Sequence, residues 1–273
     1  MMSTRSLAPH DSKAENLQTR IVYTIGGLDP SGGAGIPADA RACRAFGVHA
    51  CAIATAVIAQ NTRGVSRVEA VSAAMLRAQL ENLAEDIAPH AIKIGMLPNA
   101  EAVEIVARQL RVLDVPTVLD PVFAPSSGNN FSDDETIQTI VRELFPLCDL
   151  VTPNTVEASK LCGFEIENLN DMKRAGQEII ALGAQRVLVK GGHLPQSHEV
   201  VDILCDVTSA TELRAPRIEG VEVRGTGCLL ASAIAAQLAQ SIEIETAVRD
   251  AKTWLASQIQ DAQMIGNGRR VAV

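Results

Sequence analysis

The sequence is poor in aromatic side chains: one Trp, one Tyr and five Phe, or 3% of 273 residues. A core without rings must be built from Ala, Val, Ile and Leu, which suits parallel strands covered by helices on both faces. Clustered Lys and Arg are also absent, and the net charge is −8. That argues against a nucleic-acid surface, whose affinity rests on phosphate neutralisation, but leaves room for a small anionic substrate. The six cysteines, Cys43, Cys51, Cys148, Cys162, Cys205 and Cys228, form no C-x-x-C pair. Neither a zinc spacing nor a disulfide framework is visible, which points to a reduced, cytoplasmic protein. No apolar run approaches the roughly 20 residues of a membrane helix. Residues 1–20 lack the apolar centre of a signal peptide and read as a disordered tail.

What is present is aliphatic and alternating. Hydrophobic residues make up 47% of the chain, enough for a sizeable core. Continuous apolar runs predict buried strands at 21–25, 49–58, 91–95, 116–120, 149–152 and 186–190. Between them lie helical patterns. One is capped by Ser72, and another by Asn99 with Glu101 in its first turn. Two more end at Gly163 and Gly183, the residue type expected just past a helix. After Lys190 the pattern changes: "EVVDILCDV" and "ELRAPRIEG" read as an antiparallel pair. "GTGCLLASAIAAQLAQ" then reads as a loop entering a very apolar helix. With no linker and no repeat, a single doubly wound domain is expected.

Chemistry-bearing residues gather at predicted strand ends, where open parallel sheets bind ligands. In "RGTGC" the backbone N–H groups of Gly225, Thr226, Gly227 and Cys228 can converge at a helix N-terminus as an anion hole. Cys228 there would feel the positive end of the helix dipole, which lowers a thiol pKa. A plain glycine turn before a buried helix is the competing reading. Lys190, in "VLVKGGH", ends a strand and could reach a phosphate. Asn154 and Glu157, in "TPNTVEA", could flank a Mg²⁺ ion or form a capping box, or both. Asp120, in "VLDPV", belongs to a turn or to the reaction centre. Gln60, in "AQNTRG", offers a paired donor and acceptor to a heteroaromatic ring. The stretch "DPSGGAG" (29–35) lacks the Lys-Ser/Thr ending of a P-loop and the spacing of a dinucleotide fingerprint. It reads instead as a substrate loop whose glycines let backbone approach a flat ring.

Together "GLDPSGGAGIPADA", "AQNT", "IKIGML", "LDPV", "TPNTVEA", "VKGGH" and "GTGC" resemble the hydroxymethylpyrimidine/phosphomethylpyrimidine kinases of thiamin biosynthesis. These belong to the ribokinase-like superfamily. The resemblance implies a ribokinase-like three-layer α/β/α sandwich with a mainly parallel central sheet, spanning 21–268 as one kinase domain. It implies ATP-dependent, Mg²⁺-assisted phosphorylation of 4-amino-5-hydroxymethyl-2-methylpyrimidine and then of its monophosphate. Gly27, Asp39, Gln60, Met96 and Val122 would line the pyrimidine pocket. Lys190, with Mg²⁺ near Asn154 and Glu157, would hold the ATP phosphates. Cys228 would be the base, with Lys190 and Asp120 beside it and the Gly225–Cys228 amides as the anion hole. A homodimer is also implied. The sequence departs from the family at Val223-Arg224, where Thr-His is usual, at Leu229, and in the loop "FAPSSGNNFSD". Arg224 would then contact a phosphate or face solvent. A pyridoxal kinase of the same superfamily and a non-catalytic pyrimidine-binding homologue are the alternatives.

Overall fold

The computed structural model describes residues 19–123, 132–194 and 198–272; the expected N-terminal tail up to residue 18 and most of the irregular loop after Val122 lie outside them. Eleven strands and eight α-helices appear among the described residues. In chain order they are β1 (Ile21–Leu28), α1 (Gly35–Ala45), β2 (His49–Gln60), β3 (Val65–Ala70), α2 (Ala73–Asp86), β4 (Ala91–Ile94) and α3 (Ala100–Leu110). Next come β5 (Thr117–Leu119), α4 (Asp134–Glu143), β6 (Leu150–Val151), α5 (Thr155–Cys162), α6 (Leu169–Ala181) and β7 (Val187–Val189). The chain continues with β8 (Glu199–Cys205), β9 (Ala210–Pro216), β10 (Val223–Arg224), α7 (Thr226–Leu238), α8 (Ile244–Gln260) and β11 (Arg270–Val271).

Nine strands form one sheet in the order β3-β2-β1-β4-β5-β6-β7-β8-β9. From β2 to β7 every neighbouring pair is parallel, and β3, β8 and β9 add antiparallel edges. Side-chain alternation divides the core in two. Tyr23, Ile25, Ile92 and Ile94 pack under the face covered by α2 to α6. Val22, Val118, Leu150 and Leu188 face α1, α7 and α8. α7 is apolar all round, and ten of its residues are buried, as a helix in the middle of a layer must be. No helix among the described residues is long and apolar enough to cross a membrane.

The predicted caps form as expected. The Ser72, Asn99 and Asn154 side chains accept from backbone N–H groups of their own first turns. The strands β3, β10 and β11 escaped the sequence reading. Strand β3 pairs with β2 around the "QNTRG" turn, because its sequence, "VSRVEA", is mostly exposed and carries no apolar run. The ordered chain also continues beyond 268. β11 runs parallel to β10, the Gly268 N–H donates to Thr62 Oγ1 at 3.1 Å, and the Arg269 N–H donates to Thr62 O at 3.0 Å.

Candidate active site

Because β1, β2, β4, β5, β6 and β7 run parallel, their C-terminal ends meet at one edge. Asp120 follows β5, Lys190 follows β7, and Asn154 bridges to Lys190. Lys190 Nζ donates to Asp120 Oδ1 at 2.6 Å, with the lysine largely buried and the aspartate almost fully so. The N-terminus of α7 comes down on this pair: a Cβ placed on Gly227 would lie 3.2 Å from both Asp120 Oδ2 and Lys190 Nζ. At the cap, Gly225 has φ +72°, and a Cβ there would meet Gly33 O at 2.1 Å. Glycine is therefore required on both conformational and steric grounds. The turn "GTGC" is thus seated on the glycine loop 29–35 and lies against the lysine–carboxylate pair.

Asn154 and Glu157 form the full capping box. Asn154 Oδ1 accepts from the Glu157 N–H at 2.9 Å, and Glu157 Oε2 accepts from the Asn154 N–H at 2.7 Å. The expected capping box is therefore present; Asn154 Oδ1 and the Glu157 carboxylate each keep lone pairs beyond it. Burial raises the Glu157 pKa to about 7, against the lowering influence of Lys190 and with a further push from Asp120. A divalent cation beside Glu157 would relieve that penalty, so the donor set fits Mg²⁺, which keeps most of its water and takes few protein ligands.

Cys228 sits partly exposed in the first turn of α7. Its thiol does not have the lowered pKa that the helix terminus alone predicts. Burial pushes it up to about 11, although Lys93 and a hydrogen bond from the Gly35 backbone favour the thiolate. Desolvation, with Asp39 and Asp120 adding to it, outweighs both.

Asp39 also departs from expectation. Rather than reaching the ring, it is fully buried, and both its oxygens accept from Lys93 Nζ, at 2.9 and 3.0 Å. Ser232, one turn beyond Cys228 on α7, donates to Asp39 Oδ1 at 2.8 Å. Lys93 was missed in the sequence, although a lysine inside the apolar run "AIKIG" was the available signal. Arg224 does not face solvent: it is buried and donates to the Asn61 carbonyl.

The remaining pocket residues come together. Gly27, Ile58, Met96 and Val122 make an apolar patch; a Cβ on Gly27 would lie 2.6 Å from Ile58 Cδ1 and 3.2 Å from Met96 Sδ. Gln60 stands at its polar edge and donates through Nε2 to Asp29 Oδ2 at 2.7 Å. The sequence places Asp29 at the start of the glycine loop, among the residues near strand ends, without giving it a contact. A cavity of about 520 Å³ opens beside Gln60, lined by Pro30, Asn61, Arg63 and Val65. It borders the loop rather than Cys228.

A helix N-terminus lying over a buried lysine–aspartate pair, in a fold that also gathers the Gly27–Ile58–Met96–Val122 patch, is the arrangement of a small-molecule phosphotransferase. The family profile described as "Phosphomethylpyrimidine kinase" matches residues 29–272. The hydroxymethylpyrimidine/phosphomethylpyrimidine kinase of Aquifex aeolicus is 38% identical over 252 residues, covering 92% of this chain and 98% of that one. This chain belongs to the phosphomethylpyrimidine kinase family. Among solved structures, the phosphomethylpyrimidine kinase of Clostridium difficile has a TM-score of 0.77 at 37% identity, covering 88% of this chain and 99% of that one. The pyridoxal kinase of Staphylococcus aureus, solved with AMP-PCP and pyridoxal, has a TM-score of 0.86 at 28% identity, covering 93% of both chains.

Proposed function

We propose that this kinase transfers the γ-phosphate of ATP to the hydroxymethyl group of 4-amino-5-hydroxymethyl-2-methylpyrimidine, and then to the resulting monophosphate. The observation that carries this reading is the descent of the Gly225–Cys228 turn onto the Lys190–Asp120 pair, next to the Gly27–Met96–Val122 patch with Gln60 at its edge. Phosphoryl transfer is mostly positioning and charge stabilisation. Lys190 would meet the ATP phosphates while Asp120 holds its ammonium in place. The amides of Gly225, Thr226, Gly227 and Cys228 would take the charge developing on the transferred group, with a single such donor worth about 3 kcal/mol. Mg²⁺ bound at Glu157 would neutralise phosphate charge, and Asn154 would fix that carboxylate through the cap. Cys228 Sγ would accept the hydroxyl proton as the O–P bond forms; the Gly35 N–H and Lys93 assist it, and burial opposes it.

A pyridoxal kinase is the second reading, favoured by the fold of the Staphylococcus aureus neighbour. A homodimer in the cytoplasm completes the proposal. ATP consumption measured in parallel with the pyrimidine alcohol, its monophosphate and pyridoxal tests it. Turnover of both pyrimidines is expected; preference for pyridoxal, or no turnover with any of the three, would overturn it.

A further inference from the structure

We propose that Asp29 locks the orientation of the Gln60 amide and so determines which ring edge the pocket accepts; this rests on reading the pocket as an aminopyrimidine site. Asp29 is 1% exposed. Its Oδ1 accepts from the Ser31 N–H at 2.9 Å and from Ser31 Oγ at 2.7 Å. Its Oδ2 accepts from the Ala34 N–H at 3.0 Å and from Gln60 Nε2 at 2.7 Å. A carboxylate only accepts, so the face of Gln60 turned toward it must be the NH₂ group. Turning the amide over would set Oε1 against Oδ2, an acceptor facing a buried carboxylate, which is disfavoured.

The backbone is held as firmly as the side chain. Where Ala59 pairs with Arg67 and Gln60 with Val65, Ser66 is the extra residue on β3, and its Oγ donates to the Ala59 carbonyl at 3.0 Å. Arg224 holds the carbonyl of Asn61. Gly268 and Arg269 hold the side chain and carbonyl of Thr62. Gln60 is left with one N–H and Oε1 to offer. A ring nitrogen acceptor beside an exocyclic amino donor complements that pair. The 4-oxo analogue, 5-hydroxymethyl-2-methylpyrimidin-4-one, presents the inverse: a carbonyl acceptor beside a ring N–H donor. It complements only the overturned amide. Asp29 is thus a positioning residue that acts through Gln60.

The test compares kcat/KM for the 4-amino alcohol, its 4-oxo analogue and pyridoxal, in the wild-type protein and in Asp29→Asn. The wild type should prefer the amino over the oxo compound by at least about a hundredfold, the scale on which mispaired polar sites reject substrates. In the variant, the introduced carboxamide can turn its own NH₂ toward Gln60 Oε1 and stabilise the overturned amide. The amino/oxo preference should therefore fall at least about tenfold, mainly through KM. Damage to the loop alone would lower all three substrates alike, leave that ratio unchanged and overturn the proposal. The wild-type arm stands by itself if Asp29→Asn does not fold: turnover of both pyrimidines at similar kcat/KM would show a freely turning amide and sink the lock while leaving the proposed function intact. No turnover of the amino alcohol would remove both.

Discussion

At the scale of single residues, buried charge decides more than the sequence reveals. Asp39 looks like a pocket residue because it follows the glycine loop, yet it is a buried partner of Lys93. Burial raises the Asp39 pKa and Lys93 pulls it back. Replacing Lys93 with Met strands that carboxylate, and breaking a buried pair from one side costs about 3–5 kcal/mol; urea unfolding at pH 7 should show a loss of that size. Cys228 was legible as a candidate from "GTGC", but its raised pKa was not, because desolvation depends on chain that packs from elsewhere. A base with a thiol pKa of about 11 is mostly protonated at neutrality. If it takes the proton, kcat/KM should climb about tenfold per pH unit between pH 7 and 9. Cys228→Ala should flatten that slope and lower kcat at least about tenfold; a variant with the wild-type profile would remove the base role.

At the scale of elements, helix starts hold the proposed site. The caps at Asn154 and Ser72 were readable because capping depends on local residue order, whereas β3 and β11 were not, since short exposed strands owe their existence to a partner. Gly225→Ala illustrates the demand at the start of α7. A side chain in the left-handed region, pressed on the Gly33 carbonyl, costs about 1–3 kcal/mol of strain and tilts the anion hole. We expect kcat to fall at least about a hundredfold, with a lower melting temperature by calorimetry. Glu157 gives a stability signature. Its pKa lies near 7 in the folded chain against 4.5 for the ordinary side chain, so the folded state binds more protons across that window. The unfolding free energy should therefore decline as pH rises from about 4.5 to 7. Glu157→Gln should flatten this decline in denaturant titrations, and Mg²⁺ with ATP should offset it in the wild type.

For the whole molecule, the alternation of apolar runs and capped helices specified the layers and the parallel sheet, because both patterns repeat along the chain. The C-terminal strap had no such pattern. β11 is two residues long, yet it lies beside β10, and its Val271 side chain would meet a Cβ on Gly33 at 3.1 Å. Removing the residues after Gln263 should free the turn holding Gln60, raise the KM for the pyrimidine at least about tenfold, and expose residues 61–64 to limited proteolysis. Unchanged KM and unchanged cleavage would show the strap to be ornamental. The central helix α7 has a different consequence. Its apolar surface covers β1, β4 and β5, all of which leave the ribosome long before it. During synthesis the part of that face beyond α1 stays greasy and bare until residue 238 emerges. Such exposed intermediates aggregate readily, so expression yield should depend on chaperone supply more than the stability of the finished enzyme would suggest.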